Sequence, residues 1–68
     1  MQIDDSEAIS AVDYRDRNRE LIVRFTSGGL YAYAGVERPL YDDFLAAESK
    51  GRFFHERVLD RFPYRRLA

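Results

Sequence analysis

The 68-residue chain has no cysteine, which excludes disulfides and metal sites built on thiolates. It also lacks any apolar run near the ~20 residues that a membrane-spanning helix needs. Residues 1–5 include Asp4 and Asp5, whereas a secretory signal begins with a basic segment and continues with an apolar one. We therefore expect a soluble protein of the cytoplasm.

Groups suited to catalysis are scarce. The single histidine, His55, falls on a predicted exposed helix face, where a lone histidine is more often a surface residue than a general base. Asp42 and Asp43 are adjacent, so on a helix they point about 100° apart and do not face one substrate. No group of residues has the ligands that a metal requires. We expect a protein that is not an enzyme and has no cofactor.

A chain of this length makes one domain, here taken as residues 1–68, and such a domain buries only about 60% of its unfolded surface. A core of this size seldom supplies more than roughly 3–5 kcal/mol of stability. Five Phe and five Tyr compensate, because each large ring buries about 150–250 Å². The core is therefore expected to be aromatic.

Residues 21–33 predict a β-hairpin, because apolar side chains alternate with a period of two on both sides of the turn 27–29. A three-residue turn places Phe25 opposite Tyr31 and gives Gly29 a positive φ. A two-residue loop would move both tyrosines to the other face. We favour the three-residue turn, because it makes one continuous apolar face. That face comprises Leu21, Val23, Phe25, Tyr31 and Tyr33.

A further strand is predicted for residues 8–14, where apolar and polar residues alternate before a turn at residues 16–19. The expected pairs are Tyr14 with Leu21, Val12 with Val23, and Ser10 with Phe25. Val12 and Tyr14 then join the apolar face already described. The three strands form an antiparallel meander.

Two helices are expected after the meander. Pro39 suits the first helical position of a helix that ends at residue 47 or 48, since its missing N–H has no partner there. Ser49 is a good cap for a second helix, whose apolar face contains Phe54, Val58 and Phe62 and which Pro63 ends. The last residues, 64–68, are placed against the sheet edge. The predicted class is α+β, in the order β-β-β-α-α, with both helices on one sheet face.

The C-terminal third is the basic end, because residues 50–68 hold six basic residues against two acidic ones. Cationic side chains near an aromatic ring suit phosphates and stacked bases. The candidate nucleic-acid-binding residues are Lys50, Arg52, Arg57, Tyr64, Arg65 and Arg66. A competing interpretation is structural charge pairing, for instance of Arg52 with Glu56 four residues later.

Tyr31 and Tyr33 allow two interpretations. Side chains two apart on one strand face match the stacking aromatics of RNA-binding sheets. The favoured strand alignment instead places both rings in the core beneath the helices. Their hydroxyl groups would then still need polar partners.

Several segments together resemble the KTSC domain family. They are Val12 and Tyr14, Leu21-x-Val23-x-Phe25, Gly29-x-Tyr31-x-Tyr33-x-Gly35-Val36, Ser49-Lys50-Gly51-x-Phe53-Phe54, and Tyr64-x-Arg66-Leu67. The resemblance covers residues 6–67, which we take as the domain core. The family is named for its occurrence at the C-terminus of some lysyl-tRNA synthetases, and it also occurs as a stand-alone bacterial or phage protein.

Two functions follow as hypotheses. The resemblance implies a domain that binds RNA or tRNA, and the basic C-terminal surface is the expected contact. The alternative is a protein interaction module, in which a second copy or another protein covers the sheet edge or the face holding Ile22, Arg24 and Leu30. In both cases we expect no membrane contact.

Overall fold

The computed structural model describes residues 8–68; the N-terminal segment 1–7, with its acidic residues, lies outside the described residues. The strands are β1 (Ile9–Arg15), β2 (Glu20–Phe25), β3 (Leu30–Ala34) and β4 (Tyr64–Arg66), and the helices are α1 (Arg38–Ala46) and α2 (Lys50–Arg57). The strands form one antiparallel sheet in the order β1-β2-β3-β4. The α+β class is confirmed, with four strands in residues 8–68 where the sequence predicted three.

The β1–β2 connection confirms most of the predicted pairing. Tyr14 lies opposite Leu21 and Val12 lies opposite Val23, on either side of a turn at residues 16–19. The predicted pair of Ser10 with Phe25 is wrong, because the register shifts between Ile9 and Ala11 and Ile9 takes the place opposite Phe25. The shift is a β-bulge, in which two residues of one strand oppose one of its partner.

The bulge changes the direction of Ile9. In a regular strand Ile9 would share a face with Ala11 and Asp13, since side chains alternate. The extra residue at position 10 instead brings Ile9 to the face of Val12, where it is 0% exposed. The sequence analysis did not place Ile9 in the core, and the bulge is the reason.

The β2–β3 hairpin has the predicted turn length at a different position. Val23, not Phe25, lies opposite Tyr31, and the Phe25 N–H donates to the Gly29 carbonyl (2.8 Å), so the turn is residues 26–28. Gly28, not Gly29, has the positive φ of 106°. The pairing differs from the predicted one by two residues, so every side chain keeps its predicted face.

The two helices begin close to their predicted positions. The α1 helix begins at Arg38, which puts Pro39 at the second position instead of the first, and it ends at Ala46. The Ser49 hydroxyl accepts a hydrogen bond from the Arg52 N–H (3.2 Å), which confirms Ser49 as the cap of α2. This cap satisfies one of the N–H groups left free at a helix start.

The end of α2 differs from the prediction. The helix stops at Arg57, six residues before Pro63, and residues 58–61 form a turn in which Asp60 has a positive φ of 62°. Helical geometry needs a negative φ, so Asp60 ends any continuation toward Phe62. The chain then reverses into β4, which pairs with β3.

The core combines sheet residues with rings from both helices. Its buried members are Ile9, Val12, Leu21, Val23, Tyr33, Val36, Phe44, Phe54 and Val58. Phe54 meets Tyr33 edge to face, with ring centroids 5.2 Å apart, and Tyr41 stacks on Tyr14 at 4.8 Å. The Tyr14 hydroxyl donates to the Val36 carbonyl (2.6 Å), which gives this inward ring its polar partner.

Candidate nucleic-acid interface

A groove of about 400 Å³ lies where β3, β4, the β2–β3 turn and the turn after α2 meet. It is lined by Phe25, Ser27, Gly29, Tyr31, Tyr33, Leu59, Asp60, Tyr64 and Arg66. The strand pairing creates it, because Tyr64 lies opposite Tyr33 and Arg66 lies opposite Tyr31. Small-ligand sites occupy roughly 300–1,000 Å³, so the groove can hold one small planar group.

Three tyrosines line this groove at different depths. Tyr33 is 3% exposed and belongs to the core, Tyr31 is half-buried, and Tyr64 is 61% exposed. The Tyr64 ring centroid lies 5.6 Å from that of Tyr31 and 5.4 Å from that of Tyr33. Tyr64 therefore extends a buried aromatic cluster to the protein surface.

Tyr33 keeps its proton across the physiological range. Burial raises the pKa of its hydroxyl to about 12, with smaller contributions from Tyr64, Tyr31 and the negative charge of Asp60. A neutral phenol can donate a hydrogen bond and accept one. The Tyr33 hydroxyl therefore gives the aromatic floor of the groove a hydrogen-bonding group.

Arg66 is the cation of the groove. Its guanidinium carbon lies 5.7 Å from the centre of the Tyr31 ring, within the range of a cation–π contact. Its Nε donates to the Ala68 carbonyl (2.9 Å). Within residues 8–68 no Asp or Glu side chain forms an ion pair with it, so its terminal nitrogens can bind an anion.

Three of the predicted basic residues lie on α2, away from this groove. The Arg52 Nε forms an ion pair with Glu56 (3.3 Å), as the competing interpretation predicts. The Arg57 guanidinium carbon lies 5.2 Å from the centre of the Phe53 ring. The Lys50 amino group donates a hydrogen bond to the backbone carbonyl of Ala47, the C-cap residue of α1. Arg52 and Phe53 line a separate depression that shares no residue with the tyrosine groove.

Arg65 points to the opposite face of the sheet from its neighbours Tyr64 and Arg66, because successive side chains of a strand alternate. It lies opposite Ala32 in the sheet, and its Nη2 contacts the Glu20 carboxylate at 3.1 Å. Glu20 is buried and also lies 3.9 Å from Arg15. The charge of Arg65 is therefore balanced within the fold. The structure separates Arg65 from Arg66, although the sequence analysis grouped them.

The face proposed for protein contacts holds a shallow depression. Ile22, Arg24 and Leu30 line it, together with Ala11 and Asp13. Ile22 is itself buried and Leu30 is half-buried, while Arg24 is exposed. A polar rim around a small apolar centre is typical of many protein surfaces.

Sequence reasoning missed Asp60, Phe25, Leu59, the turn residue Ser27 and the neighbouring Gly29 as parts of a site. The pairing of β4 with β3 brings them together, and the tail was expected only to lie against the sheet edge. The three residues Tyr64, Arg65 and Arg66 do not alternate between apolar and polar, so the sequence carries no signal that predicts this strand.

The part of the chain that the structure describes has no group of three or more His, Cys, Asp or Glu side chains placed to hold a metal. None of the helices in residues 8–68 is both long and apolar enough to cross a membrane.

The fold and groove define a small α+β domain with an aromatic, cationic groove at one sheet edge. The KTSC domain family matches residues 5–62, and the chain belongs to this family. The crystal structure of a KTSC domain protein from Yersinia pestis agrees with this fold at a TM-score of 0.95, with 32% identity, over 100% of this chain and 94% of that one. The resemblance found in the sequence is confirmed.

Similar proteins include one from Tsukamurella paurometabola, 45% identical over 62 residues, which cover 91% of this chain and 92% of that protein. A lysine–tRNA ligase of Nostoc sp. is 32% identical over 60 residues, and one of Trichormus variabilis is 31% identical over 55 residues. The matches cover 88% and 81% of this chain. This chain spans only 11% and 10% of the two ligases, so it corresponds to one small part of each.

Proposed function

We propose that this domain is a non-enzymatic module that binds single-stranded RNA in the cytoplasm, with an unpaired base stacked in the tyrosine groove. One observation carries the proposal. The exposed ring of Tyr64 continues the Tyr31–Tyr33 cluster to the surface, beside the Arg66 guanidinium, which forms no ion pair with an Asp or Glu side chain within residues 8–68. Two relatives that contain a similar segment are lysine–tRNA ligases, which supports RNA, and tRNA in particular, as the partner.

Base stacking provides the main attraction in this proposal. Every base has a flat π face, and stacking on an aromatic side chain contributes about 1–3 kcal/mol per base. Tyr64 is more than half exposed, so it can receive a base without first being uncovered. Its neighbours Tyr31 and Tyr33 hold the ring in place, so less side-chain freedom is lost on binding.

Electrostatic attraction has a smaller and local role. The whole chain has a formal net charge of −1, which does not favour strong nonspecific binding to nucleic acid. Arg66 is proposed to bind a phosphate next to the stacked base. Lys50, Arg52 and Arg57 are proposed as weaker contacts for the flanking backbone. We assign Arg65 no contact in the groove, because it pairs with Glu20 on the other face.

The test is a binding titration of the domain with a fluorescein-labelled single-stranded RNA of ten nucleotides, followed by anisotropy, with unlabelled tRNA as competitor. Tyr64→Ala should weaken binding by about 5- to 150-fold, which corresponds to one lost base stack. Arg66→Gln should weaken binding and reduce the salt slope by about 0.7, the value for one phosphate contact on a single strand.

Arg65→Gln is the matched control, because it removes the same charge one residue away on the opposite face. It should leave the salt slope unchanged, and thermal unfolding checks that each variant folds. An equal loss from Arg65→Gln and Arg66→Gln would contradict the groove as the binding site. Absence of binding by the wild type, together with light scattering that shows a dimer, would favour the protein interaction module instead.

A further inference from the structure

Asp60 lies in the wall of the tyrosine groove, where a carboxylate is unfavourable for a general phosphate-binding site. The turn after α2 holds it there with a positive φ of 62°, a conformation that costs energy for most residues and that Asp tolerates better than most. The turn is closed by a hydrogen bond from the Arg61 N–H to the Val58 carbonyl (3.1 Å). The backbone therefore fixes the point on the groove wall from which this side chain extends.

The Asp60 side chain has free acceptor capacity. It is exposed, and within residues 8–68 no ion pair or side-chain hydrogen bond engages it. Of the other lining residues, Arg66 provides donors only, and Tyr64 provides a stacking face. A planar ligand in this groove thus meets both an acceptor and a donor.

We propose that Asp60 makes the groove selective for guanine, an inference that depends on the proposed RNA binding. Guanine is the base whose Watson–Crick edge presents two neighbouring donors, N1–H and the N2 amino group, which a carboxylate accepts together. Adenine and cytosine each present one donor beside a ring nitrogen acceptor, and uracil presents one donor between two carbonyls. For these three bases the carboxylate leaves an acceptor facing an acceptor, which costs binding energy.

The test uses four fluorescein-labelled heptanucleotides, each with three uridines on either side of a central G, A, C or U, and a fifth with central inosine. A bidentate contact discriminates against a wrong base by roughly 5- to 150-fold, so the wild type should bind the G oligonucleotide tighter than the others by a factor in this range. Inosine keeps N1–H and lacks the N2 amino group, so its affinity should lie between those of G and A.

Asp60→Asn should keep base binding, because Asn tolerates the positive φ. It should remove the preference for guanine, because the Asn side chain has one accepting oxygen and one donating NH2 group and therefore cannot accept from N1–H and N2 side by side. Thermal unfolding of Asp60→Asn checks the fold. Similar affinity of the wild type for all four bases, or a guanine preference that survives in Asp60→Asn, would refute the selectivity and leave the RNA-binding proposal intact. Failure of every oligonucleotide to bind would refute both.

Discussion

The buried phenol of Tyr33 predicts a loss of stability in alkali. Its pKa is about 12 in the folded domain and 10.0 in the unfolded chain, so the folded state holds this proton more tightly. The stabilisation that this proton provides is complete below about pH 10 and disappears as the pH rises through 12. Linkage gives a loss of about 1.4 kcal/mol between pH 8 and pH 11 and at most about 2.7 kcal/mol above pH 12.

The assay is urea unfolding of the wild type and of Tyr33→Phe at pH 8, 9, 10 and 11, followed by circular dichroism. Tyr14 and Tyr41 also have pKa values raised by burial, so the wild type alone mixes several contributions. Subtracting Tyr33→Phe isolates one phenol, and the stability difference between the two proteins should fall by about 1.4 kcal/mol from pH 8 to pH 11. A difference that stays constant with pH would mean that Tyr33 ionises in solvent, and that the floor of the groove is not buried.

Two further predictions concern the hairpins that build the groove and its core. Ile9→Val should cost about 0.5–1.5 kcal/mol and Ile9→Ala about 2–5 kcal/mol in urea unfolding, because the bulge buries this side chain fully; a cost below 0.5 kcal/mol for Ile9→Ala would contradict that burial. Gly28→Ala should destabilise the fold by about 1 kcal/mol, because Gly28 has a φ of 106°. In Gly29→Ala the new methyl group would lie 2.8 Å from the Tyr31 ring, which is too close, so the ring must move. This displacement should reduce the free energy of RNA binding more than the free energy of unfolding. Equal effects of the two alanines in both the unfolding and the anisotropy assays would contradict this division.

The alternation of residues 21–33 predicted the faces of the hairpin correctly and its pairing incorrectly. A period of two is unchanged by a shift of two residues, so Val23 and Tyr33 keep their face in either alignment. The turn decides the alignment, and adjacent glycines at positions 28 and 29 leave it open which one takes the positive φ. Only the structure distinguishes them.

Non-local pairing explains what the sequence could not predict. The β-bulge in β1 turns Ile9 toward the core. The strand β4 forms because Tyr64, Arg65 and Arg66 pair with the edge of β3. Short segments of this kind gain their structure from tertiary contacts, not from their own propensity. Tyr64 and Arg66 were predicted as candidate site residues from charge and aromatic content. Asp60 could not be predicted as a site residue, because the geometry of the turn after α2 brings it to the groove.

The central claim is that RNA meets this domain at the tyrosine groove. An NMR titration of the isotope-labelled domain with the single-stranded decamer tests it most directly, because backbone and ring resonances report the contact residue by residue. The proposal predicts that the largest shifts occur at Tyr31, Tyr64 and Arg66, with Tyr33 ring signals changing at the same RNA concentration. Shifts confined to Ile22 and Arg24 on the opposite face, or no shifts at all, would contradict it.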